Sequence, residues 1–125
     1  MINKIYIACQ NKDKAQELSK ILETAGFTNV SSWVFGSPDW RVQKTDERKK
    51  QIASKCLKDV EIADALVAIS PEGRCYGGLW VELGYALGLN KLVILVGKPS
   101  NTILYSSLIV QCNDFVGALE LLKEF

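Results

Sequence analysis

Two short segments, Ala65 to Ile69 and Leu92 to Val96, are apolar without interruption and stop at Ser70-Pro71-Glu72-Gly73 and Gly97-Lys98-Pro99. A strand with one wet face alternates apolar and polar residues. A run that never alternates fits a strand covered on both faces, as in a parallel sheet between two helix layers. The rest of the chain supplies the parts such a sheet needs. Ile5 to Cys9 reads as a first strand, Gln10 to Asp13 as a polar turn, and Ala15, Leu18, Ile21, Leu22 and Ala25 as the apolar stripe of a helix that Gly26 ends. Asn29 to Phe35 reads as a second strand broken by Gly36-Ser37-Pro38-Asp39. A helix from about Thr45 to Ile62 follows, with Ile52, Ala53, Cys56, Leu57 and Val60 as its stripe. A weaker strand is expected at Leu108 to Cys112, then a helix capped by Asp114 and running to Lys123. Alternating strands and helices predict one α/β domain over residues 1–125, three-layered and flavodoxin-like or Rossmann-like. Its mostly parallel sheet should have five strands in the order 2-1-3-4-5.

Composition narrows the chemistry. The formal charge is +1, so the global balance points to neither a nucleic-acid polymer nor an anionic membrane, and any anionic ligand must be held locally. No segment reaches membrane-spanning length and the N-terminal apolar run is too short for a signal peptide, which makes a cytoplasmic location the expectation. The four cysteines, Cys9, Cys56, Cys75 and Cys112, form no C-x-x-C pair, so they read as free thiols, and no metal or cofactor is expected. There is no histidine. Acid/base or nucleophilic work therefore falls to carboxylates, tyrosines, lysines or a thiol.

One carboxylate stands apart. From Gly77 to Asn90 the sequence is apolar or glycine almost throughout, and Glu82 is its single charge. Helical spacing puts Leu79, Leu83, Ala86 and Leu87 on one side and Trp80, Tyr85 and Leu89 around it, so the helix is buried on most faces. Burial raises a carboxyl pKa and leaves the ionised form poorly hydrated, which suits a nucleophile. A Glu on a wet edge, or paired with Lys91 or Arg74, fits the periodicity equally well. In a doubly wound sheet, ligands bind beyond the carboxyl ends of the strands where the order reverses. That edge holds Cys9 to Asp13, Trp33 to Arg41, Ser70 to Gly78 and Gly97 to Tyr105, with Glu82 just over a turn inside the helix that starts there.

The segment Gly77-Gly78-Leu79-Trp80-Val81-Glu82-Leu83-Gly84-Tyr85-Ala86, followed by Lys91-Leu92-Val93-Ile94-Leu95-Val96, resembles the signature of the nucleoside 2-deoxyribosyltransferase family. Ile5-Tyr6-Ile7-Ala8 and Ala63-Asp64-Ala65-Leu66-Val67 extend the resemblance over most of the chain. It implies cleavage or transfer at the N-glycosidic bond of a nucleoside or nucleotide, with Glu82 as the nucleophile that holds the sugar as an ester. Tyr85 would orient Glu82. Gly77 and Gly78 would let the backbone approach the sugar or phosphate, with Cys9 and Gln10 in the first loop beside them. Asn101 matches a residue that family members send into a neighbouring subunit's site, so a homodimer or higher homo-oligomer is expected.

The departures from the pattern bear on the reaction. The position of the base-handling aspartate is Tyr76, and the aspartate of the preceding helix falls at Cys56, with Asp59 one turn later. Asp59 or Glu72 are the available substitutes. These changes favour hydrolysis over base transfer, and they leave open a non-catalytic nucleotide-binding module. Arg41 or Lys44 at the ligand edge is suited to a 5'-phosphate. The basic stretch they open, Arg41 to Lys58, otherwise reads as a solvated helix face. Ile5-Tyr6-Ile7-Ala8, Lys12-Asp13-Lys14, Ser70-Pro71-Glu72 and Trp80 before Glu82 also look like Toll/interleukin receptor (TIR) domains, some of which cleave NAD through a glutamate. Either resemblance puts a glutamate at a ribosyl C1 centre, so the expected ligand is a nucleoside, nucleotide or NAD-like molecule.

Overall fold

The structure, a computed structural model, describes residues 1–36, 45–73 and 77–125. Five parallel strands form one sheet in the order β2-β1-β3-β4-β5: β1 Lys4–Ala8, β2 Thr28–Asn29, β3 Ala65–Ile69, β4 Leu92–Val96 and β5 Ile109–Cys112. Four helices connect them, α1 Lys12–Thr24, α2 Asp46–Ile62, α3 Gly78–Gly88 and α4 Phe115–Glu124. Fold class, order and the bounds of β3 and β4 agree with the reading of the sequence. Every residue of β3 is buried, as a run with no alternation requires.

The pleat sorts the core into two layers. Ile5 and Ile7 of β1, with Val67 of β3 and Ile94 of β4, face α1 and α4 through Leu18, Leu22, Ala118 and Leu122. Tyr6 and Ala8, with Leu66 and Leu95, face α2 and α3 through Val60, Leu79, Leu83 and Ala86. Period-two alternation along β1 thus aims Tyr6 at the layer that carries Glu82.

Local chemistry sets the ends. Asn11, Thr45 and Asp114 cap α1, α2 and α4, each accepting a backbone N–H from the first turn. Asp64 accepts from the N–H groups of Asn3 and Lys4, both at 2.9 Å, which ties the chain before β3 to the start of β1. Those two N–H groups hold its carboxyl below the usual range.

One expected element differs. The second strand does not run from Asn29 to Phe35: pairing stops at Asn29, and Ser32–Phe35 is a 3-10 turn. Side chains decide this. Asn29 Oδ1 accepts from the Ser31 N–H at 2.9 Å and from the Ser31 hydroxyl, a local turn that competes with the ladder. The Ser31 hydroxyl in turn accepts from the Ile7 N–H at 3.1 Å, and the Ser32 N–H bonds Asp59 of α2 at 3.0 Å. Lys12 Nζ and Gln16 Nε2 of α1 hold the carbonyls of Gly36 and Val34, both at 2.9 Å. The consequence is positional, since the turn brings Trp33 to the carboxyl end of β1.

Candidate active site

Glu82 lies on the second turn of α3, behind the Gly77-Gly78 entry to the helix. Gly77 has φ 90°, a left-handed conformation that a side chain would strain, and it sits at the cap position of α3. The glycine there is a requirement of the turn, and it keeps the approach to Glu82 clear of side chains.

The partner of Glu82 is Tyr6. Its hydroxyl, on a fully buried residue of β1, donates to Glu82 Oε2. Burial pushes the Glu82 carboxyl up, the Tyr6 hydrogen bond pulls it down, and the charge of Asp59 raises it again, leaving it at about 7. Burial and the same carboxylate push the Tyr6 phenol far up, so it stays a neutral donor. Cys56 completes the group, lining the same chamber as Glu82. Burial and then the Glu82 charge push that thiol up as well, which keeps it neutral and a poor nucleophile.

Two chambers meet here. The first, about 290 Å³, has Glu82 in its wall with Gly77, Gly78, Cys9, Gln10 and Trp33. The second, about 330 Å³, runs along α2 past Arg48, Gln51, Ile52 and Lys55. Gln10, Trp33 and Cys56 line both, so the two adjoin at those residues. Trp33 Nε1 donates to the Ile7 carbonyl at 3.0 Å, which fixes the indole between the chambers. A third depression of about 510 Å³ lies between the first loop and Ser70-Pro71-Glu72, at the β1/β3 reversal.

Of the residues singled out in the sequence, the structure brings Glu82, Cys9, Gln10, Gly77 and Gly78 around one chamber. Tyr85 is elsewhere. Its hydroxyl donates to Glu61 Oε1 of α2 at 2.5 Å, so it does not orient Glu82. Three residues along a helix is close enough for neighbours, but Glu82 turns toward β1 while Tyr85 leans over the α2 terminus. Asp59 is 1% exposed, accepts from the Ser32 N–H and hydroxyl, and faces Lys55 Nζ at 3.1 Å. It is a buried anchor of the 3-10 turn whose charge reaches Glu82, and it does not line either chamber. Asn101 caps a second 3-10 turn, Thr102–Tyr105, its side-chain oxygen accepting from the Leu104 N–H at 3.3 Å. Glu72 borders the third depression, which shares Cys9 and Gln10 with the Glu82 chamber, and does not itself line that chamber. Arg41, Lys44 and Tyr76, like Trp40 and Arg74, lie outside the described residues. Among the described residues no group of three or more His, Cys, Asp or Glu side chains is placed to hold a metal ion, and no helix is long and apolar enough to cross a membrane.

Tyr6 is the residue that sequence reasoning missed. Its signal was present: a tyrosine in a strand covered on both faces must find a partner for its hydroxyl, and even-numbered β1 residues share a layer with α3.

The model of the nucleoside 2-deoxyribosyltransferase family matches residues 5–116. This chain belongs to that family. Family members act by hydrolysis or transfer at the N-glycosidic bond of nucleosides or nucleotides, and the match decides between the two resemblances in favour of this one over TIR domains. Among solved structures, the 2-deoxyribosyltransferase of Bacillus psychrosaccharolyticus is similar at 24% identity and TM-score 0.74, over 93% of this chain and 90% of that one. The CMP N-glycosidase BcmB of Clostridium botulinum is similar at 18% identity and TM-score 0.60, over 97% and 99%. At these identities the likeness speaks for the fold. No curated protein sequence matches the chain.

Proposed function

We propose that this family member hydrolyses the N-glycosidic bond of a nucleotide or nucleoside, with Glu82 as the nucleophile. The observation that carries the reading is the Glu82 carboxylate held by the buried Tyr6 hydroxyl at the wall of a chamber that Gly77 and Gly78 leave open. A Glu82 oxygen attacks the anomeric carbon as the bond to the base nitrogen breaks and the base takes the electron pair. Water then attacks the same carbon, the ester bond breaks back to the carboxylate, and the water's proton goes to the departed base. Hydrolysis is favoured over transfer because, among the described residues, Glu82 is the one carboxylate that lines either chamber. The base-handling aspartate that the family resemblance calls for has no counterpart among the described residues of either chamber.

Incubation with deoxynucleosides, ribonucleosides, their monophosphates and NAD, read by free base, tests the reading. Base release from at least one supports it, and tight binding with no release from any turns the protein into a binding module. The pH profile is a further test. The nucleophile is the ionised form and its carboxyl sits at about 7, so kcat/KM should rise with pH through that value and level off above it. A profile flat from pH 5 to 9 removes Glu82 as an ionised nucleophile.

The assembly expected from the sequence has support in apolar exposure. Ile103, Tyr105 and Leu108 are 79%, 60% and 70% exposed, close in sequence to Asn101, and Val81 is exposed on α3 beside Glu82. A second copy covering this material gives a symmetric oligomer with active sites near the interface and Asn101 shared between them. Mixing Glu82→Gln protein with Asn101→Ala protein, each weak alone, should restore activity as hybrid sites form. A monomer by light scattering at micromolar concentration, or unaltered kinetics in Asn101→Ala, overturns the shared site.

A further inference from the structure

Asp59 is a buried carboxylate that lines neither chamber. One oxygen, Oδ2, accepts the Ser32 N–H at 3.0 Å and the Ser32 hydroxyl. The other, Oδ1, faces Lys55 Nζ at 3.1 Å. An asparagine oxygen can take both Ser32 bonds, so anchoring the 3-10 turn does not by itself call for an ion. Nor does the ion pair cancel the charge. The Lys55 side chain is 63% exposed and screened by water while its partner is enclosed, so the pair turns its negative end to the interior.

Glu82 is within reach of that end. Cys56, one helical turn before Asp59, lines the Glu82 chamber, and Val60, the residue after Asp59, shares a core layer with Leu79 and Leu83, one a turn before Glu82 and one next to it. The titratable groups that face Glu82 from the packed elements are Tyr6 of β1, Cys9 just beyond it, and Cys56 and Asp59 of α2. Burial holds the phenol and both thiols up and neutral, which leaves Asp59 as the anion of the group. Its charge raises the Glu82 carboxyl.

As a Glu82 oxygen bonds to the anomeric carbon and the base nitrogen takes the electron pair of the breaking bond, positive charge develops on the sugar and the glutamate loses its own charge into the ester. An enclosed anion behind the glutamate favours both changes, attracting the sugar's charge and losing a like-charged neighbour. We infer that Asp59 is a positioning residue of this reaction, holding the Trp33 turn against α2 and driving Glu82 toward the sugar by its enclosed negative charge. The inference rests on Glu82 as nucleophile and adds the residue that sets its reactivity.

The test separates charge from anchorage. Asp59→Asn keeps an oxygen for Ser32 and removes the charge; Ser32→Ala keeps the charge and removes the hydroxyl bond. With base release from nucleoside monophosphates followed between pH 5 and 9, Asp59→Asn should lower the kcat/KM plateau about tenfold and move the midpoint down from about 7 by about half a unit to one unit. The variant then ionises more of its Glu82 in acid, where its activity should converge on that of wild type. Ser32→Ala should leave the midpoint in place, whatever turnover it loses through Trp33. Lys55→Gln combined with Asp59→Asn replaces the pair by two amides and leaves no ammonium unpaired, so it carries the test if the single variant does not fold, and it should lower the midpoint likewise. The Glu82 midpoint is read without substrate by carbon NMR of labelled glutamate carboxyl groups, the signal being the one absent from Glu82→Gln. A midpoint that loss of the Asp59 charge leaves unmoved or raises, with activity lost equally at every pH, reduces Asp59 to an anchor and overturns the inference. A shift in Ser32→Ala as large as that in Asp59→Asn assigns the effect to the turn and overturns it too. No base released from any nucleotide by the wild-type protein overturns the catalytic reading of Glu82, and the NMR midpoint, lowered in Asp59→Asn or not, still decides whether Asp59 sets that carboxyl.

Discussion

Glu82→Gln should lower turnover by at least about a thousandfold while the protein folds and binds as before, because the amide cannot form the sugar ester. Shape is conserved and the Tyr6 hydroxyl still finds an oxygen acceptor, so the loss should fall in kcat with little change in ligand affinity. Stability should move the other way. The Glu82 carboxyl titrates near its ordinary value when unfolded and at about 7 when folded, so the folded state binds the extra proton between those values. Wild-type stability therefore falls as pH rises through that window, by up to about 3 kcal/mol for a shift of this size. The glutamine has nothing to titrate. Denaturant melts should show the variant close to wild type near pH 4.5 and more stable than it at pH 8 to 9. Wild-type-like turnover excludes Glu82 from the bond-making step. A stability difference that does not vary with pH says that the carboxylate is not desolvated as the structure has it.

The same pair of residues shows what the sequence could and could not convey. Glu82 was legible because a lone charge in an apolar helix is a local pattern, and β3 and β4 were legible because burial on both faces leaves apolar runs of strand length that stop at Gly/Pro turns and that no wet strand shares. Tyr6 was not singled out because in one strand an aromatic residue looks like core, and its partner is 76 residues away. The choice of Tyr85 followed the opposite logic, trusting proximity along the helix where the packing of α2 against α3 gave that hydroxyl to Glu61. The failed strand after Asn29 has the same origin. Ser31, Ser32 and Asn29 bond locally and to Asp59, and the aromatic residues that suggested a strand instead place an indole in the site. Propensity reads neighbours in sequence, and this site is assembled from β1, the 3-10 turn, α2 and α3.

Tyr6→Phe separates a positioning residue from one that merely fills space. Phenylalanine keeps the ring that the core around Val60, Leu66 and Leu83 packs on, so the fold should survive. What is lost is one hydroxyl. That hydrogen bond lowers the Glu82 pKa against burial and Asp59, so its removal should move the midpoint of the kcat/KM profile upward from about 7. At pH 7 less of the nucleophile is then ionised, and the carboxylate no longer has a fixed aim. Together these should slow turnover at pH 7 by about ten- to a hundredfold, the range in which misplacement of a reacting group acts. Part of the loss should be recovered at pH 9, where ionisation is restored and only aim is missing. Stability should fall by about 1 to 2 kcal/mol at pH 9, where a buried carboxylate has lost a donor, and hardly at all at pH 5, where Glu82 is protonated. An activity loss with an unmoved pH midpoint would mean that Tyr6 acts through packing alone. A shifted midpoint with recovery at high pH is a result that packing cannot produce.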